Sequence, residues 1–449
     1  MRINASFISR LTFLVIFLIL FINTEYRGSN EISIAANSFF RANPLVVVSY
    51  LLATWTFTML LFPGLLMLIF SALLGRFFCG WICPLGTILD LITDKIKKTV
   101  PLKLLKTRFK YFFLFTLLSS ALFNVSITGI FDPIAILMRA LAFFLYPLSG
   151  HVVKAGWAGL YNIAGENRDY IKFIYAFLKE YILPFRETFY PLAFFSFLFL
   201  LFIIFLERYE KRNWCKNLCP LGTLLGLVGR LSIFKRKPQI ICSDCNLCKK
   251  VCPTGFDENT IQKQDCILCM DCYLKCKHKR VTFAFQIPGK PKLSVRTAAI
   301  KSKNMTVSIE RRVVLSGLVS GFFLSNIFSF HFPSMKDKKL RPPGVINEDD
   351  FLKKCVRCGE CIKVCLRSAL YPALFQAGPY GIFMPVFMPR LGYCEYNCNL
   401  CGQVCPTGAI PNLSLQEKKK SVIGTAVIDK NRCLPYAKKI NCIVCEEHC

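Results

Sequence analysis

The cysteines of this sequence are spaced so regularly that their spacing restricts the folds open to the chain. All 24 belong to groups: two C-x2-C-x2-C-x3-C runs between Cys242 and Cys276, three runs beginning at Cys355, Cys394 and Cys433, and two C-x3-C-P pairs. Each [4Fe-4S] cluster takes four thiolates, and bacterial ferredoxins use the x2-x2-x3 spacing. Disulfide-rich domains are usually short, and zinc sites pair C-x2-C units across a longer loop. The pattern therefore favours iron–sulfur clusters and electron transfer.

The composition indicates a membrane protein. Apolar residues make up 54% of the 449 positions, yet the formal net charge is +30, a combination typical of apolar spans joined by basic cytoplasmic loops. A spanning helix needs about 20 mostly apolar residues. The expected spans are Phe7–Asn23, Val46–Leu74, Tyr111–Ile130, Tyr190–Leu206 and Val313–Phe330. The predicted fold is a mainly α membrane protein with about five transmembrane helices and small α+β two-cluster ferredoxin domains.

Two further features qualify these spans. The second is long and contains Pro63-Gly64, which predicts a kink or tilt. Ile134–Leu148 is apolar but shorter and carries Arg139, so we interpret it as an interfacial or re-entrant segment.

Charge predicts the orientation of the chain. Residues 76–110 hold eight Lys/Arg against two acidic residues, and residues 207–312 hold 22 against eight. The positive-inside rule places both stretches in the cytoplasm. The expected domains are a four-helix membrane domain (1–230), a cytoplasmic ferredoxin (231–290), a signal or anchor helix (305–332) and a second ferredoxin (333–449). The expected location is the bacterial inner membrane.

The fifth span begins at an arginine pair, Arg311-Arg312, followed directly by an apolar run. This is the form of a twin-arginine export signal. An ordinary anchor with two cytoplasmic arginines fits equally well. Either interpretation places the tail in the periplasm, whereas a segment lying on the membrane surface would leave it in the cytoplasm. The tail is basic, with 17 Lys/Arg against ten acidic residues after residue 330, and so its charge does not decide.

The first pair of runs predicts two clusters, because in two-cluster ferredoxins the fourth cysteine of each run serves the other cluster. The expected ligand sets are Cys242, Cys245, Cys248 and Cys276 for one cluster, and Cys266, Cys269, Cys272 and Cys252 for the other.

The C-x3-C-P pairs are Cys79/Cys83 and Cys215/Cys219, and the similar sequences around them indicate an internal repeat. Thiols four residues apart share a helix face, and the adjacent proline interrupts the helix. Both pairs are predicted at the cytoplasmic membrane edge. Four converging thiols permit a metal or cluster site, a redox disulfide, or a structural helix stop.

The C-terminal runs are three in number, whereas cluster sharing requires pairs. Pairing the second run with the third predicts one cluster on Cys394, Cys398, Cys401 and Cys449, and another on Cys433, Cys442, Cys445 and Cys405. The first run is then unpaired, which suggests a chain truncated before a fourth run. The alternative is a self-contained third cluster on Cys355, Cys358, Cys361 and Cys365.

These motifs resemble two known families. Residues 1–290, with four spans, both C-x3-C-P pairs and a two-cluster ferredoxin, resemble the NapH membrane quinol dehydrogenases. Residues 305–449, with Arg311-Arg312, the Arg341-Pro-Pro-Gly linker and the uneven runs, resemble the NapG/MauM exported ferredoxins; Leu366 departs from the proline of that pattern. The resemblance implies electron transfer from the quinol pool to a periplasmic reductase, nitrate reductase being the familiar case, or to a carrier such as cytochrome c.

The expected substrate is therefore quinol, which delivers two electrons and two protons, and no nucleic acid partner is expected. Asp132 and Arg139 are candidate quinol contacts, because they lie seven residues apart on one predicted helix face at the membrane edge. The alternative function is assembly, maturation or regulation, in which a ferredoxin of the oxidase-accessory or NosR-like type reduces a metal. How electrons cross the roughly 30 Å apolar layer between the two ferredoxins is not evident from the sequence.

Overall fold

A computed structural model of the chain describes residues 5–32, 34–93, 108–163, 168–190, 192–238, 247–254, 265–276, 281–285, 311–330, 339–374 and 381–448. Up to residue 231 the described chain is helical. Its helices are α1 (Ala5–Asn23), α2 (Asn37–Arg41), α3 (Pro44–Thr54), α4 (Phe62–Leu74), α5 (Phe77–Trp81), α6 (Pro84–Thr93), α7 (Phe109–Leu122), α8 (Thr128–Phe131), α9 (Pro133–Ala140), α10 (Tyr146–Ile163), α11 (Arg168–Tyr181), α12 (Ala193–Leu206), α13 (Asn213–Asn217) and α14 (Pro220–Val228).

Short helical turns supplement these elements. Met59–Leu61 and Gly229–Leu231 are 3-10 turns, and a π-helical turn at Leu141–Leu145 joins α9 to α10.

The rest of the described chain holds short elements and one long helix. They are β1 (Phe234–Pro238), α15 (Leu247–Val251), α16 (Asp271–Leu274), β2 (Val281–Phe285), α17 (Arg311–Phe330), α18 (Glu348–Lys354), α19 (Glu360–Lys363), β3 (Leu370–Pro372), β4 (Pro385–Phe387), α20 (Leu400–Gln403), α21 (Leu415–Lys420), α22 (Leu434–Lys438) and α23 (Val444–His448). Strands β1 and β2 pair antiparallel, with Phe234 opposite Phe285. Strands β3 and β4 also pair antiparallel, with Leu370 opposite Phe387.

Prolines fix where several helices begin. Pro44, Pro84, Pro133 and Pro220 each occupy the first position of a helix, where a missing N–H costs no hydrogen bond. Polar side chains cap some of these starts: Asn43 accepts the N–H of Leu45, and Asp132 accepts the N–H of Ala135. The sequence therefore breaks the apolar part of the chain into short helices.

The predicted second span, Val46–Leu74, is two helices and not one. Trp55 adopts a left-handed conformation (φ 55°) directly after α3, and Pro63 restarts the chain as α4. A β-carbon at Gly64 would lie 2.4 Å from Cγ2 of Val47 and 2.7 Å from the Arg41 carbonyl oxygen, and so α4 begins tightly against the start of α3. The expected kink is in fact a complete break.

Two described helical stretches are long and apolar enough to cross a bilayer, Ala5–Asn23 and Pro133–Asn162. The second contains Ile134–Leu148, and so the short interfacial segment expected there is part of a much longer helix. Four of the expected spans correspond to apolar helices of 10–17 residues or to α17, and the count of about five spanning helices stays a prediction.

Helix α17, which contains the fifth expected span, packs along α7. A β-carbon at Gly317 would lie 2.8 Å from Cβ of Phe115, and one at Gly321 would lie 2.5 Å from Cβ of Ser119. The Ser119 hydroxyl donates to the Leu318 carbonyl oxygen at 2.8 Å. A small-x-x-x-small pair allows such close approach of two helices in membranes. The two helices run in the same direction.

The two ferredoxin segments contact opposite ends of α1. We call described residues 231–285 the first ferredoxin segment and described residues 339–448 the second. At the start of α1, the Ser6 hydroxyl donates to the Cys269 carbonyl oxygen at 2.8 Å. At its end, the Lys363 ammonium donates to the carbonyl oxygens of Phe21 and Thr24 at 2.6 and 2.7 Å. A 19-residue helix is about 28 Å long, and so the segments lie roughly one apolar layer apart.

One apolar core nevertheless joins all three parts. The same cluster of buried side chains contains Phe40 and Leu85 from the helices, Ile267 from the first ferredoxin segment, and Phe351 and Ile362 from the second. The ferredoxin segments are therefore packed on the helical domain, and their cysteines have fixed positions relative to it.

Candidate metal centres

Five cysteines of the first ferredoxin segment surround one cavity. Its lining includes Cys248, Cys252, Cys266, Cys269 and Cys272, and its empty space is about 400 Å³ when the part open to solvent is counted. Four of these, from Cys252 to Cys272, are the ligand set expected for one cluster, and the structure brings them together across the two runs. Of the other expected set, Cys242 and Cys245 lie outside the described residues.

The second ferredoxin segment groups its thiols differently from the sequence prediction. Cys355, Cys358 and Cys361 line one cavity together with Cys405 from the next run, and its empty space is about 340 Å³ when the part open to solvent is counted. The sequence groups Cys405 with Cys433, Cys442 and Cys445, or gives the Cys355 run its own fourth ligand in Cys365, and both ligand sets stay predictions. In the structure it is Cys405 that lines the cavity of Cys355, Cys358 and Cys361.

Cys365 instead belongs with the second run. Burial raises the pKa of the Cys401 thiol, and Cys365, Cys394 and Cys398, followed by Cys405 of the other group, raise it further. These four side chains are therefore close enough to interact electrostatically. The first and second runs thus exchange their fourth cysteines, as in a two-cluster ferredoxin. The physical link is the β3–β4 pair, which joins the segments that carry the two runs.

The third run stands apart from both groups. Cys433 and Cys442 are partly exposed and Cys445 is exposed, and most described residues from 421 to 448 are exposed as well. Cys449, the expected partner of the second run, lies outside the described residues.

Equivalent loops of the two segments share one backbone conformation. Leu268 and Met270 flank Cys269 with φ of 56° and 60°, and Arg357 and Gly359 flank Cys358 with φ of 54° and 86°. Left-handed residues are uncommon outside glycine, so their repetition at matching positions is a specific feature. This backbone conformation lets each loop curve around the group that its cysteines would bind.

The same loops direct backbone N–H groups at sulfur. Burial raises the pKa of the Cys266 and Cys355 thiols, and N–H groups donated two residues later, by Leu268 and Arg357, lower it. Cys358 follows the same rule, receiving the N–H of Glu360. Such bonds favour thiolate over thiol, whereas burial disfavours an uncompensated negative charge. Iron cations remove that penalty, and so these residues fit [4Fe-4S] clusters.

The two C-x3-C-P pairs form a further site, which we call the four-thiol site; its members are Cys79, Cys83, Cys215 and Cys219. Each copy has an arginine three positions before its first cysteine. Arg212 donates to the Cys79 carbonyl oxygen at 2.8 Å, and Arg76 donates to the Cys215 carbonyl oxygen at 3.2 Å. Each arginine thus binds the other copy, which makes the two copies a reciprocal pair.

The glycine that follows each Cys-Pro-Leu motif faces the exchanged arginine. A β-carbon at Gly222 would lie 2.6 Å from Nη2 of Arg76, and one at Gly86 would lie 3.5 Å from Nη2 of Arg212. Any larger side chain at Gly222 would displace the Arg76 guanidinium. The repeated C-P-L-G sequence is therefore explained by packing around the two arginines.

Acidic partners neutralise both arginines. Arg212 binds the two carboxylate oxygens of Asp90 at 2.8 and 2.7 Å. Arg76 binds Asp265 at 3.0 Å, and Lys110 binds the same carboxylate at 2.8 Å. Asp265 directly precedes Cys266, and so this ion pair fixes the first ferredoxin segment beside the four-thiol site.

The four thiols face one another. Burial raises the pKa of the Cys219 thiol well above its ordinary value, and the thiols of Cys215, Cys79 and Cys83 raise it further. Among the described residues, no three His, Cys, Asp or Glu side chains are arranged to hold a single metal ion. Zn–S bonds of about 2.3 Å would bring the sulfurs of a zinc site close together, whereas a four-iron cluster gives each sulfur its own iron.

Asp132 and Arg139, the expected quinol contacts, have structural partners. Asp132 caps α9 and accepts the Asn43 amide at 2.7 Å. Arg139 is fully buried and donates to the carbonyl oxygens of Gly129 at 2.9 Å and Arg357 at 2.7 Å. Through these bonds to backbone oxygens Arg139 attaches the second ferredoxin segment to the helices, and its role as a quinol contact stays a prediction.

Comparison with known proteins agrees with this chemistry. A family described as "4Fe-4S binding domain" matches residues 55–103 and 189–240, the stretches that contain the two halves of the four-thiol site. The chain is therefore an iron–sulfur protein of the ferredoxin type. No solved structure matches it.

Several curated relatives are similar over part of their length. The methylamine utilization ferredoxin-type protein MauM of Methylorubrum extorquens is 40% identical over 119 residues, which cover 25% of this chain and 50% of the relative. The ferredoxin-type protein NapG of Escherichia coli is 35% identical over 113 residues, covering 25% and 48%. The putative electron transport protein YccM of Escherichia coli is 26% identical over 229 residues, covering 49% and 55%. The chain spans about half the length of these relatives.

Proposed function

We propose that the protein is a membrane-bound quinol dehydrogenase, which takes electrons from quinol and passes them through iron–sulfur clusters to a periplasmic reductase or carrier protein. The observation that carries this proposal is the position of the four-thiol site between the two ferredoxin segments. It contacts the first ferredoxin segment through Trp81 and approaches the second through α9, and so it can relay electrons between the two.

On one side the four-thiol site touches the first ferredoxin segment. The Trp81 indole N–H, between Cys79 and Cys83 in sequence, donates to the Leu268 carbonyl oxygen at 3.0 Å. A β-carbon at Gly80 would lie 2.0 Å from the Ile267 carbonyl oxygen, and so the two backbones are in direct contact. Gly80 follows Cys79 and Ile267 follows Cys266, and so this contact joins the immediate neighbours of a cysteine from each site.

On the other side the four-thiol site approaches the second ferredoxin segment through α9. Burial, the Cys79 thiol and the Asp132 carboxyl all raise the pKa of the Cys83 thiol, which reaches about 12. Asp132 therefore lies near Cys83. Arg139, about 10 Å further along the helix, contacts Arg357 in the Cys355 run. Electron transfer over the roughly 30 Å between the two ferredoxin segments is thereby divided into shorter steps.

In this proposal, different groups of residues have different roles in electron transfer. The cysteines hold the clusters, which supply one-electron redox chemistry when bound. Backbone N–H groups at sulfur, such as those of Leu268 and Arg357, would stabilise the more negative, reduced form of a bound cluster. The apolar core excludes water, and the arginine–carboxylate pairs hold the four-thiol site and the first ferredoxin segment in fixed positions relative to each other.

The test is cluster reduction in the full chain. We expect a water-soluble quinol, added anaerobically to cluster-loaded protein in detergent, to produce the paramagnetic resonance signals of reduced [4Fe-4S] clusters. Dithionite serves as the control that shows how much cluster is reducible. Clusters that dithionite reduces and quinol does not would contradict the proposal and favour a maturation role, in which another donor reduces the protein.

A further inference from the structure

A cavity lies at the outer end of α1, between the helical domain and the second ferredoxin segment. We call it the outer cavity; its walls include Glu25, Tyr146, Phe185, Tyr190, Lys363 and Cys365. Its cavity volume is about 30 Å³, and the empty space reaches about 450 Å³ when the part open to solvent is counted. The proposed function requires a place where quinol meets a cluster, and Asp132 and Arg139 already have structural partners in the chain.

The polar wall of the outer cavity is a carboxylate held in place from two sides. The Tyr146 hydroxyl donates to Oε2 of Glu25 at 2.6 Å, and the Phe185 N–H donates to Oε1 at 2.5 Å. A carboxylate offers about four acceptor positions, and these two bonds use half of them. The Glu25 side chain is therefore oriented and still able to accept a hydroxyl proton.

The remaining wall is aromatic and leads to apolar surface. Tyr146 and Tyr190 present rings to the cavity, and Tyr26 packs edge-on against Phe185 at 5.6 Å between centroids. Next to them, Phe185 and Phe189 are 55% and 45% exposed. Exposed aromatic side chains at this level are typical of a membrane interface. A flat ring bearing hydroxyl groups and an apolar tail suits both surfaces.

The cavity also reaches a cluster ligand directly. Cys365 lines it, and Cys365 belongs to the group with Cys394, Cys398 and Cys401. A hydrogen bond of 3.1 Å between the Thr188 and Ser368 hydroxyls joins the connection between α11 and α12 to the segment that follows Cys365. A molecule in the outer cavity is thus separated from the cluster site by a single side chain.

We propose that the outer cavity binds the headgroup of quinol, with Glu25 accepting the proton of one quinol hydroxyl beside Cys365. This assignment rests on the proposed function. Oxidation breaks both quinol O–H bonds and yields quinone, two protons and two electrons. The electrons would be accepted one at a time by [4Fe-4S] clusters, which the cysteines of the second ferredoxin segment would hold. The protons leave through Glu25 to water on the outer face.

The binding test uses a photoreactive azidoquinone on the cluster-loaded full chain in detergent, with labelled peptides identified by mass spectrometry. We expect labelling near Tyr26, Tyr146 and residues 185–190, and loss of the label when unlabelled quinol competes. We expect Glu25→Gln to weaken this labelling at least tenfold and Tyr146→Phe to weaken it severalfold. Glu187→Gln is the matched control, because Glu187 lies in the same loop and pairs with His151 and Lys154.

The outcomes separate the two proposals. Label confined to residues 132–139, or labelling unaffected by both Glu25→Gln and Tyr146→Phe, overturns the site. If quinol still reduces the wild-type clusters in that case, the proposed function stands without it. If dithionite reduces the clusters of wild type and variants equally, the folds are intact and weak labelling reports the site itself. Wild-type clusters that quinol never reduces overturn the function and with it the quinol assignment.

Discussion

Arg76 and Arg212 hold the two halves of the internal repeat together by exchanging hydrogen bonds. Each guanidinium donates to the carbonyl oxygen of the first cysteine in the other copy, at 3.2 Å to Cys215 and 2.8 Å to Cys79. The exchange places four thiols at one point, although they come from segments 132 residues apart between Cys83 and Cys215. Duplication of the motif is thus a requirement of the site, since one copy supplies only two thiols.

Removing one arginine should destabilise this site strongly. Arg212→Gln leaves Asp90 with one less partner and the Cys79 carbonyl oxygen without its donor. Breaking a buried ion pair on one side costs about 3–5 kcal/mol, and we expect a loss of that order. Thermal unfolding in detergent measures it. Arg432→Gln, in an exposed pair with Asp429, should change stability by less than about 1 kcal/mol.

The four-thiol site should contribute its own iron. We expect the double variant Cys83→Ser, Cys219→Ser to lose about four iron atoms per chain, the content of one [4Fe-4S] cluster. It should also slow electron exchange between the ferredoxin segments, leaving the second reducible by quinol. Iron analysis and rapid-freeze paramagnetic resonance measure the two effects. Unchanged iron content would return the thiols to a structural role.

The grouping of Cys405 with the Cys355 run can be tested by single substitutions. Cys405→Ser and Cys355→Ser should perturb the same cluster signal, because both side chains line one cavity. Cys445→Ser, in the exposed third run, should leave that signal unchanged. If Cys405→Ser instead alters the signal that Cys445→Ser alters, the second and third runs share a cluster as the sequence suggested.

Glu207 should make stability depend on pH. Burial raises its pKa to about 7, and the hydrogen bonds from Thr93 and the Arg212 N–H only partly oppose this. Its second oxygen, Oε1, is buried without a partner among the described residues, as suits a neutral carboxyl. A raised folded pKa favours the protonated form, and so this contribution is present below about pH 4.5 and is lost as pH rises through 7.

Glu207→Gln should therefore flatten the pH dependence of unfolding between pH 4.5 and 7. The expected change is on the order of 1–3 kcal/mol across that range. Chemical unfolding at several pH values measures it, with Glu210→Gln as the control at an exposed neighbouring position. A variant whose stability keeps the wild-type slope would show that Glu207 titrates normally.

The sequence was informative where spacing alone decides the chemistry. It indicated one cavity ligand set, Cys252 with Cys266, Cys269 and Cys272, because the crossover is built into the run. It did not indicate the partner of the Cys355 run, because spacing within a run carries no information about which run packs beside it. That choice depends on the short β3–β4 pair, whose strands of three residues are too brief to recognise.

Two further features of the structure were not predicted from the sequence, for different reasons. Arg76 and Arg212 stand at the same position of both repeats, and this repetition was a signal available in the sequence. Glu25 had no such signal, because its importance arises from Tyr146 and Phe185, which are more than 100 residues away along the chain. Asp132 and Arg139 are candidate quinol contacts because charges on one helix face at a membrane edge suggest function, and the structure shows in addition that both hold parts of the chain together.

Substitution of Arg139 separates attachment of the second ferredoxin segment from quinol binding. Arg139→Gln removes donors to the carbonyl oxygens of Gly129 and Arg357 and the stacking of the guanidinium on Phe383 at 4.5 Å. Since unpaired buried carbonyls cost about 1–3 kcal/mol each, the segment should detach more readily. We expect faster proteolysis between α17 and α18 and slower exchange with the four-thiol site, while the outer-cavity variant Glu25→Gln leaves proteolysis unchanged. Proteolysis at the wild-type rate in Arg139→Gln, together with lost azidoquinone labelling, would instead identify Arg139 as a quinol contact.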